Sequence, residues 1–164
     1  MDVEAIPVTI QDTRKNPARI VVGVDGSAES KAALRWAAKL APALGCAITA
    51  MTAWQFPAVV GMSPAVMNVG MAPYFPESWH PEQDARDLLD STVQEVFADE
   101  RPVDLVLSIA YGQPASVLLE ASEDSTMLIV GSRGHGGFAG LLLGSVSSAC
   151  AEHATCPVLV VHGV

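Results

Sequence analysis

The stretch Met127-Leu128-Ile129-Val130-Gly131-Ser132-Arg133-Gly134-His135-Gly136-Gly137-Phe138-Ala139-Gly140-Leu141-Leu142-Leu143-Gly144-Ser145-Val146-Ser147-Ser148-Ala149-Cys150-Ala151-Glu152-His153 decides how this chain is read. Its first four residues form an unbroken apolar run, the pattern of a strand buried on both faces. Val146 to His153 reads as a helix. The residues between them are rich in glycine, which lets backbone N–H groups approach an anion, and a helix start adds positive partial charge. No lysine occurs from Gly131 to the last residue, Val164. The crossing therefore predicts an anion cradle made of backbone rather than of ammonium groups.

Outward from that crossing, short apolar runs alternate with helical patterns. Strands are expected at Ile20–Val24, Cys46–Ala53, about Asp104–Ala110, Met127–Val130 and Val158–Val161. Ser27 suits the N-cap of a first helix, with Glu29 in its first turn and Ala33, Ala37, Leu40, Ala41 and Leu44 at helical spacing. Trp36 shares that spacing with Leu40 and reads as core or interface. Pro42 predicts a kink or an early end, and Gly45 a stop. Pro81 opens a second helix, where Glu82, Asp84 and Asp87 suit the dipole and Ala85, Leu88, Leu89, Val93, Val96 and Phe97 form one apolar face. Tyr111-Gly112-Gln113-Pro114 turns into a short helix carrying Val117, Leu118 and Ala121. Such alternation argues for a parallel sheet with helices on both faces. Ligands of these sheets bind at the carboxyl ends of strands, where strand order reverses. Asp25 follows the first strand and Gly131 ends the fourth; if those strands are neighbours, both loops line one crevice.

Composition narrows the function. The 164 residues suit one domain, and half of them are hydrophobic. Nine Lys and Arg against 18 Asp and Glu leave a net charge of −9, with no basic run, so nucleic acid and anionic membranes are not expected partners. Three cysteines make no disulfide framework and point to a reducing cytoplasm. Cys150, His153 and Cys156 lack a fourth ligand at familiar spacing and read as packed structural residues rather than a zinc site. The acidic N-terminus has no secretory pattern, and the apolar stretch Ala58–Phe75 is interrupted by Gly61, Pro64, Asn68, Gly70 and Pro73, against a membrane span. Residues 1–17 read as a flexible tail. Residues 18–164 read as one domain with a long loop at about 54–80, either a lid near the ligand or a passive insert. Trp54 and Phe56 read there as base-stacking or loop-packing residues, and His135 as solvated.

Three nucleotide motifs compete at the crossing. A Walker loop needs a glycine followed by lysine, which is absent. Gly134-His135-Gly136-Gly137-Phe138-Ala139 matches a dinucleotide fingerprint, but only one strand follows it, too few for a βαβ unit. The third pattern, G-x2-G-x9-G-[ST], fits Gly131, Gly134, Gly144 and Ser145 without adjustment.

That third pattern resembles the nucleotide-binding signature of the universal stress protein family, in its ATP-binding branch. Ile20-Val21-Val22-Gly23-Val24-Asp25-Gly26-Ser27 is similar to the family's opening strand and acid. Gly112-Gln113-Pro114 is similar to its turn before the third helix. Leu142–Ser147 and His153–Val161 are similar to its closing helix and strand. The resemblance implies an open five-stranded parallel α/β sheet of order 3-2-1-4-5, Rossmann-like, with helices on both faces. It also implies a homodimer through Val158–Val161. Carried over by position, Asp25 would hydrogen-bond the ribose or adenine side of the nucleotide. Val24 and Ala53 would line the base pocket, flanked by Gly23 and Val130. Gly131 and Gly134 would meet ribose and phosphate, Arg133 would add charge, and Gly144, Ser145, Val146 and Ser147 would hold phosphates. The ligand implied is ATP, with AMP or cyclic AMP as alternatives and Mg or Mn joining through the phosphates. Ala53 is smaller than the valine frequent there, and the 54–80 segment is longer than the pattern. The function expected is a stress-response nucleotide sensor rather than an enzyme, because the loop offers Arg133 and His135 but no evident general base. The alternatives are a slow ATPase or nucleotidyl transferase, and a family member that acts by protein contacts without ATP.

Overall fold

The computed structural model describes residues 18–55, 80–135 and 142–163. The expected tail 1–17, Phe56 with most of the 54–80 segment, and Gly136 to Leu141 lie outside the described residues. Five strands form one parallel sheet: β1 (Arg19–Gly23), β2 (Ala47–Trp54), β3 (Leu105–Tyr111), β4 (Met127–Gly131) and β5 (Val158–Val161). Their order is β3-β2-β1-β4-β5, as the resemblance implied. Four helices complete the alternation: α1 (Ala28–Leu44), α2 (Pro81–Phe97), α3 (Pro114–Ser122) and α4 (Ser145–His153).

Side chains alternate across a strand, so β1 serves two cores at once. Ile20 and Val22 pack with Ala33, Leu34, Ala37 and Ala41 of α1 and with Leu89 and Val93 of α2. Val21 packs on the other side with Val117 and Leu118 of α3 and Cys150 of α4. All three β1 residues are completely buried, which explains an apolar run with no polar alternation.

Three expectations need correction. α1 runs through Pro42 to Leu44 instead of stopping early. Pro42 is exposed and only two residues from the end, so it costs one main-chain hydrogen bond while buried Ala37 and Ala41 hold the helix to the sheet. Gly45 then ends it in the left-handed conformation (φ 63°), where glycine carries no steric penalty. Trp36 is not core: it is 46% exposed, with the Lys39 ammonium 5.2 Å from its ring centre. His153 is not packed either. α4 buries Ser147 and Cys150, three residues apart, and its last three residues project outward. Among the described residues no helix is long and apolar enough to cross a membrane.

Candidate functional site

β1 and β4 are hydrogen-bonded neighbours, although about a hundred residues separate them in the chain, and the strand order reverses at this pair. Their two exits therefore open side by side.

The β1 exit is fixed by a small polar knot. Gly26 takes a positive φ of 81°, which turns the chain sharply toward α1. Asp25 Oδ1 accepts from the Ser27 N–H at 3.0 Å and from Ser27 Oγ at 2.5 Å. Ser27 Oγ in turn accepts from the Ser30 N–H at 3.2 Å, the N-cap bond expected from the sequence. Asp25 thus spends one carboxylate oxygen on the helix start. The other, Oδ2, lies against Gly134, where any Cβ would collide with it. The β2 end is tied in by Thr52 Oγ1, which donates to the Val24 carbonyl at 2.8 Å.

The β4 exit is held by Ser132. Its N–H donates to the Val161 carbonyl of β5 at 2.7 Å. Its carbonyl accepts from the Gly144 N–H at 2.7 Å and from Ser147 Oγ at 2.8 Å. These two bonds bring the start of α4 back to the end of β4. Gly144 is the N-cap of α4, so no side chain caps the first turn. The N–H groups of Ser145, Val146 and Ser147 stand at the positive end of the helix dipole.

Between the two exits lies a pocket of about 440 Å³, within the size range of small-molecule sites. All twelve residues singled out from the sequence line it: Gly23, Val24, Asp25, Ala53, Val130, Gly131, Arg133, Gly134, Gly144, Ser145, Val146 and Ser147. Its lining divides by element. Strand ends and α3 contribute Val24, Met51, Ala53, Leu118 and Val130, an apolar set suited to a planar ring. The β4 loop and the start of α4 contribute backbone, two serines and Arg133, suited to an anion. Ser147 is buried and its hydroxyl donates to carbonyls of Ser132 and Gly144, so it latches the loop.

Sequence reasoning did not place Ser30, Met51, Thr52, Leu88, Pro114, Leu118 and His135 in the lining. Met51 was within reach, since it pairs in register with Gly23 and shares a face with Ala53 two residues on. Leu88 was assigned to the buried face of α2 but is 37% exposed at the pocket. Trp54 does not line the pocket; it belongs to β2 and packs edge-on against Tyr111, ring centres 5.0 Å apart. Among the described residues no cluster of three or more His, Cys, Asp or Glu is placed to hold a metal ion.

The glycines separate into two kinds. A Cβ on Gly131 would come within 2.7 Å of Glu29 Cβ and 3.1 Å of the Ser30 nitrogen, so β4 and α1 require glycine there. A Cβ on Gly144 would meet only ordinary contacts, at 3.5 Å or more, from Arg133, Ser132 and Ser147. Its φ of −76° is open to any residue. Nothing within the described chain demands glycine at 144, which fits a space kept for a ligand.

Comparison with known proteins follows the same outline. The model of the universal stress protein family matches residues 17–162. A universal stress protein of Mycolicibacterium smegmatis is 36% identical over 149 residues, covering 88% of this chain and 48% of that protein. The chain spans about half the length of the curated relatives it matches. Among solved structures, UspA from Lactobacillus plantarum superposes with a TM-score of 0.66 at 22% identity, covering 89% of this chain and 98% of that one. A universal stress protein solved in complex with cAMP gives 0.53 at 26% identity, with coverages of 89% and 97%.

Proposed function

The chain belongs to the universal stress protein family, and on that premise we propose that it is an adenine-nucleotide-binding module of the ATP-binding branch, a homodimeric sensor rather than an enzyme. The observation that carries this reading is the divided pocket. An apolar slot at the ends of β1, β2 and β4 adjoins an uncapped helix start whose N-cap is a glycine that packing among the described residues does not require. The relative bound to cAMP supports an adenine ring in the slot. Asp25 Oδ2 is the acceptor available for a ribose hydroxyl, because Oδ1 is engaged by Ser27. Gly131, Arg133 and Gly134 follow toward the phosphates, and Gly144 to Ser147 hold them through backbone N–H groups. Asp25 is the one carboxylate among the described lining residues, which suits a Mg or Mn ion carried by the phosphates rather than by a protein cage. Among those residues none stands out as a general base, and the expected turnover of ATP is below about 1 s⁻¹.

The test is direct. The purified chain is denatured, the released nucleotide is identified, and ATP, AMP and cAMP are titrated by calorimetry into wild type and Gly144→Glu. The glutamate places a carboxylate at the proposed phosphate position. ATP affinity should fall about tenfold or more while the circular dichroism melt stays close to wild type. Equal ATP binding by both proteins refutes the site.

A further inference from the structure

Among the described residues, the ionisable groups that line the pocket are Asp25, Arg133 and His135. With a neutral imidazole their charges cancel. A nucleotide phosphate chain brings several negative charges into a protein whose own net charge is −9, and a helix start offsets only about half a charge. Gly136 to Leu141, which follow His135, include no ionisable residue. Among the described residues of the lining, one further positive charge is available, on His135. The residue hangs from the β4 loop, yet a Cβ on Gly26 would lie 3.6 Å from its Nε2. The imidazole thus reaches across the crevice to the β1 exit, beside Leu88 of α2, which also meets the Gly26 position.

Resting on the nucleotide reading above, we propose that His135 selects for phosphate number in a protonation-dependent way. As imidazolium it favours nucleotides with a phosphate chain over the bare nucleoside; as the neutral ring it does not. Histidine is the side chain whose ordinary titration spans the physiological range, whereas Arg133 stays charged throughout. Arg133 supplies a constant attraction and His135 an adjustable one. Among the described residues, the charged groups around His135 are few. Asp25 comes from the β1 exit, and Arg133 lies two residues away on the same loop. Glu29 stands on α1 behind Gly131. On α2, Asp84 and Asp87 flank Leu88 and are exposed to solvent. The first turn of α4 has no ionisable side chain. An incoming phosphate chain adds negative charge beside the ring, so ATP and a proton bind together.

The experiment compares ATP with adenosine by calorimetry at about pH 6 and about pH 8, without divalent cations, for wild type and His135→Gln. The quantity read is the ratio of ATP to adenosine affinity, taken as wild type relative to the variant at each pH, because ATP itself takes up a proton over this range. The relative ratio should rise about fivefold on acidification, the scale of one solvent-accessible charge pair. A second measurement repeats the titration in two buffers of different protonation enthalpy, where the wild type should take up more protons on binding ATP than His135→Gln does. Identical pH dependence in both proteins, or equal proton uptake by both, overturns the role of His135 while leaving the nucleotide site standing. No binding of either ligand at either pH overturns both.

Discussion

At the scale of single residues, the glycines of this site answer to different forces. Gly131 is confined by α1: the nearest atoms to an added Cβ include backbone of Glu29 and Ser30, which cannot swing away. Gly131→Ala should therefore destabilise the fold by roughly 1–3 kcal/mol, the usual cost of forcing a methyl into a packed contact, measured by urea denaturation. Gly144→Ala, with only ordinary contacts, should leave the urea midpoint nearly unchanged. A stable Gly131→Ala protein would mean that the close approach of β4 to α1 is wrong. Cys150 offers a second test. Burial, with Cys156 adding to it, pushes its thiol up from 9.0 to about 11. In the unfolded chain the thiol ionises near pH 9, while the folded chain holds its proton until about pH 11. Stability is thus full below pH 9, falls as pH rises through that window, and levels off above it, losing at most about 3 kcal/mol from this group. Denaturation curves between pH 8 and about pH 11 should show that slope in wild type and lack it in Cys150→Ala.

At the scale of elements, α1 shows what its sequence did and did not disclose. Its cap at Ser27, the Ala33, Ala37 and Ala41 part of its apolar face and its stop at Gly45 were legible, because each follows a local rule; Leu44, expected on that face, is exposed, and the buried Leu34 was not named. Its passage through Pro42 was not, because tertiary packing of Ala37 and Ala41 outweighs one lost hydrogen bond. Pro42→Ala restores that bond on an exposed face and should raise stability by about 1–2 kcal/mol, read as a higher urea midpoint; a lower one would show that the proline ring is needed there. The strands were legible to within one residue at either end, since a buried parallel sheet writes itself as apolar runs. The site was legible where it is made of loop glycines at fixed spacing. Leu88 escaped because it comes from a helix whose contribution depends on three-dimensional packing, whereas Met51 was legible as the same-face neighbour of Ala53 two residues away.

At the scale of the whole molecule, the sheet has two edges, and β5 is the proposed meeting place for a second copy. The bonds that Leu128 and Ser132 make to the carbonyls of Pro157 and Val161 turn the odd-numbered residues of β5 toward β4. Val158 and Val160 then direct their backbone groups outward. Val160→Pro removes an outward donor while sparing the ladder to β4, a change that edge strands tolerate. Light scattering coupled to size exclusion should find a dimer for wild type and a monomer for the variant; a monomeric wild type refutes pairing along β5. The bonds at Ser132 have a wider consequence. One carbonyl gathers both ends of the excursion from residue 132 to residue 147, so the base of this loop is closed independently of what the loop contains. Closing a longer or shorter loop changes the chain entropy only slowly with length. The interval between those anchors is consequently an exchangeable cassette: a relative's segment whose ends meet the same two bonds, and which keeps glycine at 134 against Asp25, should be accepted here while the sheet beneath stays as it is.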